Sequence, residues 1–202
     1  DHAENSIVVA SGANMLLNEQ DVDKVVEEMC EGDILLMQLE IPIQTVEYAA
    51  RRAFEKGVKV VLNPAPARSL PKELLRHLFM ITPNRIEAEM LTGIKIVNDA
   101  DAERVAKEIS AMGVQNIIVT LGSKGCLVRE GDTSYCVDAF KVEPVDTTAA
   151  GDTFNGALCV GLAEGMNLRQ AAVMASKASS VAVTRMGAQS SIPHRKELNL
   201  NE

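Results

Sequence analysis

The chain has 202 residues, 47% hydrophobic and 24% charged, enough apolar material for one sizeable core, which excludes a disordered or low-complexity protein. Its formal net charge of −8, with Lys and Arg scattered among acids, excludes an electrostatic footprint for nucleic acid, so an anionic ligand needs a local site. No apolar run approaches the ~20 residues that span a bilayer. Cys30, Cys126, Cys136 and Cys159 form no Cys-x-x-Cys pair and share no metal-ligand spacing with His2, His77 or His194. The expectation is a soluble cytoplasmic protein with free thiols and no membrane partner; "DHAENS" also lacks the features of a signal peptide.

Short β-rich runs alternate with longer amphipathic ones, the pattern of βα units that feed a parallel sheet. The first candidate strand is "SIVVA", 6–10, followed by a helix over 19–30 in which Val22, Val25, Val26 and Met29 recur at helical spacing. "DILLMQLE", 33–40, is nearly all apolar and reads as a buried strand. Pro42 suits the first turn of a helix from Val46 to Lys56, stopped by Gly57. "VKVVLN", 58–63, is the next strand, and "PAPARSLP", 64–71, a loop that proline stiffens. "FMIT", 79–82, predicts a short strand before a helix starting near Asn84, and another helix covers 99–112. "NIIVTL", 116–121, repeats the buried-strand pattern. Beyond Gly122-Ser123-Lys124-Gly125, "CLVRE" (126–130) and "TSYCVDAF" (133–140) predict an antiparallel pair joined by the turn-prone "GD". The last third is helical over 150–164 and 168–184 and closes with "MGAQSSIPH". No linker or repeat divides the chain, which reads as one α/β domain. Its start at Asp1, without an initiator Met, fits either a trimmed start or the interior of a larger protein.

The stretch "VDTTAAGDTFNGAL", 145–158, places an Asp where a buried, small-residue helix begins. The free N–H groups and dipole of a helix N-terminus attract anions. Ala149, Ala150 and Gly151 carry no side chain large enough to hold a phosphate away from those groups. A carboxylate there repels phosphate but suits a general base that takes the proton of an attacking hydroxyl. Taken alone, Asp152 or Thr148 reads better as only a helix cap.

"LNPAPAR", "TPNRIEAEMLTG", "VTLGSKG", "DTTAAGDTFNGAL" and "AVTRMGAQSSIP", in this order, resemble the motifs of the ribokinase family of sugar kinases, and the similarity extends over essentially the whole chain. The resemblance implies a three-layer α/β/α sandwich with a mostly parallel central sheet, lacking the family's N-terminal strands and the small β-sheet lid over the sugar. It implies residues 1–202 as a single truncated catalytic domain, with Asp1 at a point inside the family fold. The implied activity is ATP-dependent phosphorylation of a sugar, with "LNPAPAR" and "GAQSSIP" favouring ribose and ribose 5-phosphate as product; the full-length protein would be a homodimer.

Carried over by position, the resemblance makes Asp152 the base and the backbone of Ala149, Ala150 and Gly151 the anion hole. Asn84 and Glu87 organise Mg²⁺, its waters and the phosphates; as residues alone, Asn-x-x-Glu is also a capping-box start. Thr120, Leu121, Gly122, Ser123, Lys124 and Gly125 lie against the nucleotide, although Gly-Ser-Lys-Gly is also a good hairpin turn. Ser176 falls near the adenine, where family members commonly carry a larger polar residue. A K⁺ site uses the Asp146 carboxylate, the carbonyls of Thr148, Ala182, Arg185 and Gly187, and Ser191, an oxygen-only set suited to a hard cation. Glu40 contacts ribose. Two competing readings remain: a family member acting on fructose, a ketodeoxy sugar acid or a nucleoside; and a nucleotide-binding or assembly module without turnover. A dinucleotide-dependent dehydrogenase suits the βα pattern alone. Gly-x-Gly-x-x-Gly and Walker A loops are absent from the chain, which excludes the dehydrogenase and an ordinary P-loop NTPase.

Overall fold

The computed structural model describes residues 10–198, so the candidate strand over 6–10 falls almost wholly outside the described residues. The elements are α1 (Glu19–Glu28), β1 (Ile34–Met37), α2 (Ile43–Glu55), β2 (Lys59–Leu62), α3 (Lys72–Arg76), β3 (Met80–Ile81), α4 (Arg85–Thr92), α5 (Asp99–Ala111), β4 (Asn116–Thr120), β5 (Cys126–Glu130), β6 (Thr133–Val137), α6 (Ala150–Ala163) and α7 (Leu168–Ala182). The six strands form one sheet in the order β1-β2-β3-β4-β5-β6. β1 to β4 pair in parallel, each joined to the next through helix, while β4, β5 and β6 pair antiparallel through tight turns.

Strand alternation builds the three layers. Val60, Leu62, Ile81, Ile117, Val119 and Leu127 face one way and pack with the buried residues of α1 to α5. Their neighbours Val61, Met80, Ile118, Cys126 and Val128 face the other way, against Phe154 and Leu158 of α6 and Ala171, Ala172 and Ala175 of α7. Burial on both faces explains why β2 and β4 read as continuous apolar runs. Each fully buried aliphatic side chain contributes roughly 1.5–3 kcal/mol to this arrangement. The small residues of α6 let it lie close to α7; a Cβ at Gly161 would stand 3.2 Å from the Ala171 Cα. The four cysteines are free, and burial pushes the Cys126 thiol up to about 12 and Cys159 to about 11, so both stay protonated at neutral pH.

Several strand ends differ from expectation, each where the sheet ladder stops. The run 33–40 is strand only to Met37; Gln38 follows it, and Glu40 sits in a bend three residues past the strand end. The run 79–82 is strand only over Met80–Ile81, and the run 133–140 only to Val137. The second helix begins at Ile43 with Pro42 as its N-cap, earlier than Val46, whereas α4 starts next to Asn84, its N-cap, as expected. α3 and a 3₁₀ helix over Gly12–Leu16 were not expected; both are five residues long, too short for a periodic signal. No helix among the described residues is long and apolar enough to cross a membrane.

Candidate functional site

The loops beyond the C-terminal ends of β1, β2, β3 and β4 converge on the start of α6. Four other helices begin at an Asn whose side chain closes a capping box, namely Asn18, Asn84, Asn98 and Asn167. α6 differs. Its N-cap is Ala149, in the left-handed region at φ 59°, and no side chain caps it, so neither Asp152 nor Thr148 serves as the cap. The Ala150 amide reaches the Thr147 carbonyl at 3.3 Å, whereas those of Gly151 and Asp152 donate to no group among the described residues. Both residues are exposed, so two orphan amides and the positive end of the helix face open space.

Two cavities meet at that helix mouth. One, of about 540 Å³, is lined by Gln38, Glu40, Asn63, Asp152 and Asn155, by Asn14 and Asp21, and by apolar residues including Val22, Val25, Val26 and Leu35. The other, of about 470 Å³, is lined by Thr120, Gly122, Ser123, Gly125, Phe140, Val142, Ala150, Gly151, Ser176 and Ser179. Gly151 and Asp152, consecutive in the chain, therefore open onto different cavities. Of the predicted nucleotide loop, Leu121 and Lys124 do not line the second cavity, and the Lys124 side chain belongs to an exposed 3₁₀ turn. Gly125 at φ +91° admits no Cβ, which would fall 2.0 Å from the Val137 carbonyl oxygen. Ser176 is buried, and its hydroxyl interacts with the Cys126 thiol.

Asn84 and Glu87 are held on each other. The Glu87 carboxylate accepts from the Asn84 amide and from Asn84 Nδ2, both at 2.8 Å, and the Glu87 amide donates to Asn84 Oδ1 at 2.9 Å. Burial pushes the Glu87 carboxyl above the usual carboxylate range, against the lowering effect of the Asn84 amide. No cluster of three or more His, Cys, Asp and Glu among the described residues is placed to hold a metal. The Glu87 carboxylate and the Asn84 side-chain oxygen are hard donors, a set that fits Mg²⁺ in kind.

The predicted K⁺ residues are brought together in part. Asp146 Oδ1 accepts from the Thr148 amide and Oδ2 from the Gly187 amide, each at 2.9 Å, which joins the loop before α6 to the loop after α7. Ser191 is fully buried and its hydroxyl donates to the Ala188 carbonyl at 2.7 Å. The Ala182 carbonyl accepts the Arg185 amide at 3.0 Å, while the Arg185 side chain is paired with Glu197 at 2.6 Å. The donor set is hard oxygen throughout, which fits a monovalent cation in kind.

Sequence reasoning missed four residues. Gln38 Nε2 donates to Asp152 Oδ1 at 2.8 Å and to Asn63 Oδ1 at 3.3 Å. Asn63 Nδ2 donates to the Thr82 carbonyl at 3.0 Å, Thr82 Oγ1 to Asn155 Oδ1 at 2.6 Å, and Asn155 Nδ2 to the Gly151 carbonyl at 2.9 Å. The signal was available: Gln38, Asn63 and Thr82 are each the first residue, and a polar one, past the end of an apolar strand.

Residues 1–195 match the family model described as pfkB family carbohydrate kinase. The chain is 46% identical over 195 residues to the ribokinase of Haemophilus influenzae, covering 96% of this chain and 64% of that protein. It is 41% identical over 197 residues to the ribokinase of Staphylococcus aureus, covering 97% and 65%. The solved ribokinase of Arabidopsis thaliana, complexed with ribose and ATP, superposes with a TM-score of 0.88 at 30% identity, covering 98% of this chain and 64% of that one. The chain thus spans a little under two thirds of the length of these relatives.

Proposed function

The chain belongs to the pfkB family of carbohydrate kinases, and from that membership we propose that it carries the phosphoryl-transfer centre of an ATP-dependent ribose kinase. The observation that carries this reading is the position of Gly151 and Asp152 on the rim between the two cavities. A donor in the Thr120–Gly125 cavity and an acceptor in the Asp152 cavity would meet at the mouth of α6. Asp152 takes the proton of the sugar's primary hydroxyl as its oxygen attacks the γ-phosphorus. The bond from that phosphorus to the ADP oxygen breaks, and ADP leaves with the electron pair. The orphan amides of Gly151 and Asp152, with those of Ala149 and Ala150 beside them, offset charge on the transferring group.

Glu40 supplies an acceptor for sugar hydroxyls in the same cavity as Asp152. Mg²⁺ carried by the nucleotide neutralises phosphate charge, and Asn84 and Glu87 hold the turn beside Thr120, which bridges to Asn84. Asp146, Thr148, Ala182, Arg185, Gly187 and Ser191 would hold K⁺ and so stiffen the loop that leads into α6. The likeness to ribokinases at 46% and 41% identity supports ribose as the acceptor. The test is ribose-dependent release of ADP by the chain together with calorimetric titration of ATP. Release supports the kinase reading; ATP binding with no release in the presence of ribose replaces it with a nucleotide-binding module.

A further inference from the structure

We infer that Gln38 is a positioning residue for Asp152, held in its working orientation by a ring of side chains across the strand ends. The inference rests on the reading of Asp152 as the base. Asn63, Thr82 and Asn155 are all buried, so each must satisfy its polar atoms within the protein. The Thr82 carbonyl can only accept, so it fixes which end of the Asn63 amide faces it: Nδ2 donates to that carbonyl, and Oδ1 is left facing Gln38. That oxygen in turn draws the NH₂ of Gln38 toward it, and the same nitrogen donates to Asp152 Oδ1. On the far side, the Thr82 hydroxyl fixes Asn155, whose amide holds the Gly151 carbonyl. The ring begins at Asp152 and ends at Gly151, so the carboxylate and the helix mouth are referred to the same three strand ends.

The consequence is directional. With Oδ1 engaged by Gln38, the other carboxylate oxygen is the one left for the sugar hydroxyl. Misplacing a reacting group by about 1 Å can cost on the order of 10²-fold in rate, which sets the scale for losing this aim.

The test uses the full chain, with Gln38→Leu removing the donor and Gln38→Glu opposing Asp152 with a second carboxylate. Ribose-dependent ADP release should lose roughly 10²-fold in kcat in both, with KM for ATP unchanged and the melting temperature close to that of the parent. Added to Asp152→Asn, Gln38→Leu should cause no further loss, because an effect transmitted through Asp152 vanishes with it; a merely structural residue would still add its own. Full kcat in both Gln38 variants, alongside an inactive Asp152→Asn, overturns the positioning role alone. Full kcat in Asp152→Asn overturns the base. Crystal structures of the parent and Gln38→Leu give a readout without turnover: the Asp152 carboxylate should leave its single rotamer while the Thr82–Asn155 bond stays. An unchanged Asp152 rotamer overturns the inference whether or not the chain turns over.

Discussion

The carboxylate of Asp146 and the amide of Gly187 are 41 residues apart in sequence and 2.9 Å apart in space. That bond, with the one from the Thr148 amide, ties the entry to α6 to the segment that follows α7. Hydrogen bonds from the Thr148 side chain, the Thr148 amide and the Gly187 amide hold the Asp146 carboxyl below the ordinary aspartate range. Its native pKa is lowered, so its contribution to stability is complete above the ordinary aspartate pKa and is lost as pH falls through the lowered native value. Asp146→Asn should flatten the acid limb of a melting-temperature profile over that window. If the loop holds K⁺, the parent should also turn over faster in KCl than in NaCl at equal ionic strength, and Asp146→Asn should not distinguish the two salts.

Asp152→Asn changes one atom of an exposed side chain and leaves Gln38 an oxygen to donate to. The variant should therefore fold and bind ATP like the parent, while kcat falls by about 10²–10⁴-fold, the usual contribution of a positioned base. Calorimetry for ATP and an ADP-release assay separate the two effects.

The layers were legible because burial on both sheet faces leaves continuous apolar runs, as in "VKVVLN" and "NIIVTL", and because the helices between them carry apolar residues at helical spacing. The ends of strands were less so. A strand stops where its neighbour's ladder stops, and Met37, Ile81 and Val137 end theirs while the sequence remains strand-like. Within the site, Asp152 stood out because an acid beside three very small residues at a helix start is unusual. Gln38, Asn63, Thr82 and Asn155 did not, because each is ordinary in its own segment. Only the β1-β2-β3 order sets the first three side by side and brings α6 across them. The Asn84–Glu87 pair shows the reverse: the motif was visible, and the structure places it in a capping box.

Gly151 offers a way to separate stability from chemistry. A Cβ there would meet no atom within 4 Å, and its φ lies outside the left-handed region that penalises other residues. Replacing helical Gly by Ala gains up to about 1 kcal/mol in helix propensity, so Gly151→Ala should unfold no more easily than the parent. The added methyl stands in the open space beside the orphan amides, where a phosphoryl oxygen would have to approach. The rate should fall by about 10²-fold, comparable with the loss of one preorganised donor. Denaturant unfolding and steady-state kinetics on the same preparation check both halves, and an unchanged kcat would remove the α6 mouth as the anion site.

Glu87 sits 5% exposed at the start of α4, with its carboxylate facing two donors from Asn84. Burial raises its pKa above the ordinary glutamate value, so between the two values the folded state holds more protons than the unfolded one. Stability over that window falls as pH rises, and the cost is fully present once pH exceeds the raised native pKa. Asn84→Ala removes the side-chain donor and the N-cap acceptor together, and losing the cap costs about 1 kcal/mol. It also leaves the buried carboxylate with the backbone donor but without the Nδ2 partner, which moves the Glu87 pKa further up. The expected result is a variant less stable at neutral pH and closer to the parent under acid conditions. Carboxyl titration by NMR should show a Glu87 midpoint above that of the parent. A midpoint unmoved by Asn84→Ala would mean that solvent, not Asn84, supplies the charge with its hydrogen bonds.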